Sequence, residues 1–176
     1  MKSSIYTIYL TTSNTEYGGK FQPPINPVNK TNNANVSWSI NWNELFRDNN
    51  LNNKYKKCRV RYDLRSGNFD AITYSLEWNN LNGYLTTNLQ SNNSLSQTQK
   101  GTILGLIYPQ KINFSSSTNW YYLSNTLNEP GIDIIIPQYN SNLTLSFYSN
   151  LTQNLILSDL LSVGYEIMLY FELYND

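Results

Sequence analysis

From residue 165 to 174 every second position is apolar: Tyr165, Ile167, Leu169, Phe171 and Leu173 share one parity, and Glu166, Met168, Tyr170, Glu172 and Tyr174 the other. Successive side chains of an extended chain point to opposite faces, so a period of two buries one face and leaves the other polar or against a partner. The same period returns in Val36, Trp38, Ile40 and Trp42, in Cys58, Val60, Tyr62 and Leu64, in Ile72, Tyr74, Leu76 and Trp78, and in Leu143, Leu145 and Phe147. A chain patterned this way must be built from strands that press their apolar faces together.

Strands are expected at 4–11, 35–42, 55–66, 69–78, 84–89, 102–107 (stopped by Pro109), 120–123, 131–136, 142–148 and 164–174. Between the first two lies 12–33, where Gly18-Gly19 and the prolines from Pro23 to Pro27 forbid regular structure and imply a loop or arm. Residues 43–48 suit one helical turn with Asn41 or Asn43 as its cap, and 151–161 is the one further stretch open to helix. About nine or ten short strands with little helix indicate an all-β antiparallel sandwich in one domain over 1–176. The count suits a single jelly roll with an additional N-terminal strand better than an immunoglobulin-type sandwich, whose Cys…Trp…Cys pattern is missing; an up-and-down barrel is the remaining alternative.

Composition narrows function mainly by exclusion. Twelve basic and twelve acidic residues cancel, which leaves no long-range field for a nucleic-acid backbone. The polar surface is made instead from Asn, Ser, Thr and the fifteen tyrosines. Asn is about one residue in six, well above ordinary usage, and Asn, Ile, Lys and Tyr are the residues an AT-rich genome encodes most readily. No signal-peptide pattern and no membrane-spanning apolar run is visible. The lone Cys58 sits on an apolar face, as a small buried hydrophobe would.

The absence of histidine removes the commonest general base and metal ligand, and with a single cysteine it argues against zinc or copper. No glycine-rich phosphate loop is present and no cofactor or metal site is assigned; calcium stays open, since Asn and Asp oxygens abound, although no spaced acidic loop appears. Glu77, Glu166 and Glu172 occupy polar phases of strands, where a solvated side chain is the simpler reading than a catalytic pair. Asp133, flanked by apolar residues, is expected to point outward or to tie down a neighbouring loop.

Two surface candidates remain. Lys57, Arg59, Arg61 and Arg65, with Asp63, line the polar face of one strand; because Tyr62 lies on the opposite phase, a partner-facing or solvated surface is favoured over nucleic acid. Trp120, Tyr121 and Tyr122 follow a run of serines and either stack on a sugar or place Trp120 and Tyr122 in the core.

Five blocks spanning nearly the whole chain resemble the single jelly-roll capsid proteins (penton or minor capsid proteins) of large double-stranded DNA viruses and virophages. They are Ser4 to Thr11, Asn35 to Phe46, Tyr55 to Tyr62, Gly131 to Pro137 and Met168 to Leu173. The resemblance implies a non-enzymatic structural unit of an icosahedral shell, either a penton at the vertices, as a homo-oligomer such as a pentamer, or a minor protein cementing the lattice. Its partners would be copies of itself and other capsid proteins, within virions assembled in the host-cell cytoplasm. The alternative is a carbohydrate-binding sandwich such as a fibre or attachment domain.

Overall fold

The computed structural model describes residues 3–12, 25, 27–32, 34–46, 55–66, 82–92, 97–98, 100–114, 117–149 and 164–175. Among them are twelve strands and one short helix: β1 (Ser4–Thr11), β2 (Asn29–Asn32), β3 (Asn35–Asn41), α1 (Trp42–Phe46), β4 (Lys57–Ser66), β5 (Gly83–Thr87), β6 (Gln97–Thr98), β7 (Gly101–Ile107), β8 (Pro109–Phe114), β9 (Ser117–Asn125), β10 (Ile132–Ile134), β11 (Asn140–Ser149) and β12 (Tyr165–Tyr174). The expected strand at 69–78 and the undecided stretch 151–161 lie outside the described residues. No helix of the described residues is long and apolar enough to cross a membrane.

The strands form two antiparallel sheets. The first runs β1-β12-β4-β9-β8, with β10 also on β4; the second runs β2-β3-β11-β5-β7-β6. Six of the eleven steps from one described strand to the next cross between sheets, and the longest pairings join strands far apart in sequence. β12 is hydrogen-bonded to β4 from Tyr165↔Ser66 to Tyr174↔Lys57, and to β1 from Thr11↔Glu166 to Ser4↔Leu173. Reduced to eight strands, β1, β12, β4 and the β9–β10 pair face β3, β11, β5 and β7, which is jelly-roll connectivity. The additional strand near the N-terminus is β2, inside the segment expected to be an irregular loop.

The alternating residues meet as expected. Trp38, Tyr62, Phe147 and Phe171 are buried, and the apolar parity of β12 is buried throughout. Around Phe171 the rings of Trp42 at 5.4 Å and Phe46 at 6.1 Å make an aromatic cluster, which Tyr6 extends by its contact with Phe46 at 5.2 Å. Both buried indoles find partners, Trp38 donating to the Thr11 carbonyl at 3.0 Å and Trp42 to Ser141 at 2.7 Å, whereas the buried Tyr165 hydroxyl has none among the described residues. Asn41 caps α1, its side chain accepting from the Glu44 N–H at 3.2 Å while Glu44 accepts from the Asn41 amide at 3.3 Å.

Two strands depart from simple alternation. In β7 the register slips by one residue between Leu85 and Thr86 of β5, so the phase inverts and Ile107 turns inward while Leu106 is left 52% exposed. Pro109, expected to stop structure, instead opens β8, a place where a strand tolerates proline because it owes the ladder no N–H.

The core also sets a pH limit. Burial pushes up the Cys58 thiol, with the Asp133 charge adding to the effect, and burial likewise raises the Tyr165 and Tyr62 phenols, the latter opposed by its bond to Ser124. The folded chain therefore keeps protons that the unfolded chain releases at about pH 8.5 for cysteine and about pH 10 for tyrosine. Stability is full below those values and falls as pH rises through and beyond them. The urea midpoint is expected to be flat from neutrality to about pH 8.5 and to fall clearly above about pH 10. Cys58 is expected to react with a thiol reagent only on unfolding; a midpoint unchanged across this range would contradict the account.

Candidate functional site

The polar face of the first sheet carries the most connected group of charges among the described residues. Register places Arg59 between Asp133 of β10 and Glu172 of β12. Its Nε donates to Asp133 Oδ1 at 3.1 Å and its Nη2 to the Tyr174 hydroxyl at 2.8 Å, while that hydroxyl donates to Asp133 Oδ1 at 2.9 Å. The guanidinium also lies over the Tyr174 ring, 4.6 Å from its centre. Partial burial lowers the Arg59 pKa, but Asp133, Tyr174 and Glu172 more than offset this and hold it above its ordinary value. Arg61 is spent in a parallel way, its Nη1 on Glu172 Oε2 at 3.0 Å and its Nε on the Glu129 carbonyl at 2.9 Å.

These bonds have a structural cause. β9 pairs with β4 up to Asn125↔Asp63, and Thr126 continues the edge by exchanging bonds with Tyr62; the chain then leaves β4 and rejoins it as β10 at Ile132↔Val60. Arg61 latches the excursion 127–131 through Glu129, and Gly131, at φ +77°, brings the backbone close against β4. On the far side of β10, Ser91 and Asn92 bond to the Asp133 carbonyl. Asp133 thus both faces outward and ties its neighbours together.

The basic stripe read in the sequence is accordingly divided into pairs. Arg59 and Arg61 are satisfied within the chain, whereas Asp63 and Arg65 stay exposed and line a cleft of about 840 Å³ at the open seam between β4–β9 and β7. Polar groups stitch the cleft's inner wall: the Tyr62 hydroxyl is 3.0 Å from Ser124 Oγ and donates to the Leu106 carbonyl at 3.2 Å, which also accepts from Ser124 at 2.9 Å. Gly105 leaves room for that phenol, since a Cβ there would lie 2.6 Å from it.

Trp120, Tyr121 and Tyr122 all fall in β9, opposite Lys111, Gln110 and Pro109 of β8, and their strand continues into the cleft lining at Leu123–Thr126. Their side chains lie outside what the structure describes. Of the remaining candidates, Glu172 is bound to Arg61, and Glu77 lies outside the described residues. Sequence parity put Asp133 and Glu172 on polar faces, but only the strand register reveals that they meet Arg59 and Arg61. Among the described residues no cluster of three His, Cys, Asp or Glu has the arrangement to hold a metal ion.

Removing one corner of the triangle tests its weight. Asp133→Ala leaves Arg59 with Tyr174 and the neighbouring Glu172, and because Arg59 and Asp133 are each about one third exposed, the expected loss is only about 1 kcal/mol in urea unfolding. No loss at all would show the triangle to be an idle surface pair.

Compared with protein-family models, curated proteins and solved structures, the chain matches none.

Proposed function

We propose that this chain is a structural subunit of an icosahedral viral capsid, a single jelly roll that serves as a penton or minor capsid protein through assembly contacts. The observation that carries the reading is the jelly-roll connectivity of the two sheets, taken with the sequence blocks that resemble that capsid family. A shell subunit needs stiff faces that neighbours approach without repulsion. Here Arg59, Arg61, Asp133 and Glu172 neutralise one another on the outer face of the first sheet, and the whole chain has no formal net charge. Its partners would be copies of itself and other capsid proteins, in virions assembled in the host-cell cytoplasm. Mass spectrometry of washed, purified particles is expected to find this chain at the low copy number of a vertex or cementing protein, and a particle map to place it there. Its absence from such particles would overturn the reading.

A second reading, a carbohydrate-binding fibre or attachment domain, is favoured by one feature. The seam cleft combines hydrogen-bonding groups (Ser124, Asn125, Gln110) with the half-exposed ring of Tyr108, the mixture a sugar face requires, and it adjoins the strand that carries Trp120–Tyr122. Glycan-array binding lost in Tyr108→Ala and Tyr121→Ala variants would select this reading over assembly.

A further inference from the structure

β1 is the outer strand of the first sheet, and little in it protects that edge. Natural edge strands are guarded by charges, prolines or bulges. Ser4–Thr11 contains no charged residue or proline, and its register to β12 is unbroken. Its backbone groups divide by parity. The Thr12 N–H bonds the Tyr165 carbonyl, so the even residues face β12; the Tyr9 carbonyl and Thr11 N–H point away and meet Ile25. The N–H and carbonyl groups of Ile5 and Thr7 continue this outward row, without a partner among the described residues.

Ile25 lies parallel beside Leu10, so the edge already accepts extended chain. In the sequence Pro23 stands two residues before Ile25 and has no N–H to donate. Beside the open row a groove of about 640 Å³, lined by Ile5, Tyr6, Ile40 and Leu45 among others, separates β1 from β3 and α1. Ile5 is 62% exposed at its rim.

We propose that a second copy of this chain occupies the edge by antiparallel β1–β1 pairing about a two-fold axis at Ile5. In that register Ile5 faces Ile5 of the copy and Ser3 faces Thr7, so the unpartnered outward groups all take partners and the first sheets of two molecules become continuous. The exposed isoleucines cover each other, and a strand without charge meets its like without repulsion. This pairing belongs to the isolated chain and holds whichever surface or shell it serves.

The test uses the full chain with single cysteines. A hydrogen-bonded antiparallel pair sets its Cα atoms about 5.5 Å apart, within disulfide reach. Thr7 and Thr7 of the copy are offset by four residues, about 14 Å. Under mild oxidation Ile5→Cys is expected to form a covalent dimer and Thr7→Cys to remain monomeric, with Cys58 silent because it is buried. Ile5→Lys is expected to shift sedimentation equilibrium toward monomer. Equal cross-linking of the two cysteine variants, or a parent chain wholly monomeric at about 1 mM, would overturn the pairing. Absence of the chain from virions would leave this result untouched, so the two readings fail separately.

Discussion

Phe171→Ala is expected to lower the stability of the chain by about 3–5 kcal/mol, the largest effect of any single core truncation considered for this fold. Phe171 is fully buried in the middle of β12, which is bonded on both sides, to β1 and to β4. Its ring meets Trp42 edge-on at 5.4 Å and Phe46 at 6.1 Å, so it joins the first sheet to α1, which follows directly from β3 of the second. Alanine would leave a cavity that two rigid sheets close poorly, and the aromatic contacts are lost as well. Against a total stability of about 5–15 kcal/mol, that loss places the variant near or below the folding threshold. Urea unfolding followed by tryptophan fluorescence measures it directly, because Trp42 is one of the neighbours. A conservative Phe171→Leu variant should recover most of the loss; a Phe171→Ala loss under about 1 kcal/mol would mean that the two sheets are not locked together here.

The parts of this fold legible in the sequence were those set by local geometry. The parity of Tyr165 to Leu173, of Cys58 to Leu64 and of Leu143 to Phe147 named the inward residues of β12, β4 and β11, because a half-buried strand leaves its signature in neighbouring side chains alone. A capping asparagine was readable for the same reason, as Asn41 or Asn43, and the structure selects Asn41. What escaped depended on partners. β8 was hidden because Pro109 reads as a terminator until its strand is seen to begin there, and the phase inversion of β7 at Leu106 and Ile107 comes from a bulge opposite β5. The Arg59–Asp133–Tyr174 triangle joins residues from three strands, and parity cannot tell which outward residues will lie side by side. Register decides that, and register in this topology is set by pairings between distant segments.

Gly131 shows how tightly that register constrains one residue, and Gly131→Ala is expected to cost about 2–5 kcal/mol. Two terms contribute. At φ +77° an L-residue pays roughly 1–2 kcal/mol for left-handed backbone. A Cβ would also stand 2.7 Å from the Val60 carbonyl and 2.9 Å from the Cγ atoms of Arg59 and Arg61, an overlap that forces β10 away from β4 at about 1–3 kcal/mol. The carbonyl cannot yield, being part of the β4 backbone between the two arginines. Displacement would therefore loosen the Arg61 bond to Glu129 and pull Asp133 from Arg59, unlatching the excursion 127–131 that ends beside the seam cleft. Gly131→Asn separates the terms, because asparagine tolerates the left-handed region but still brings a Cβ. Urea unfolding is expected to rank the parent above Gly131→Asn and Gly131→Asn above Gly131→Ala, with the asparagine variant still losing about 1–3 kcal/mol. The Arg59 and Arg61 Nε–H resonances should shift in both variants. An asparagine variant as stable as the parent would show that backbone angle alone selects glycine here, and that the approach of β10 to β4 leaves room to spare.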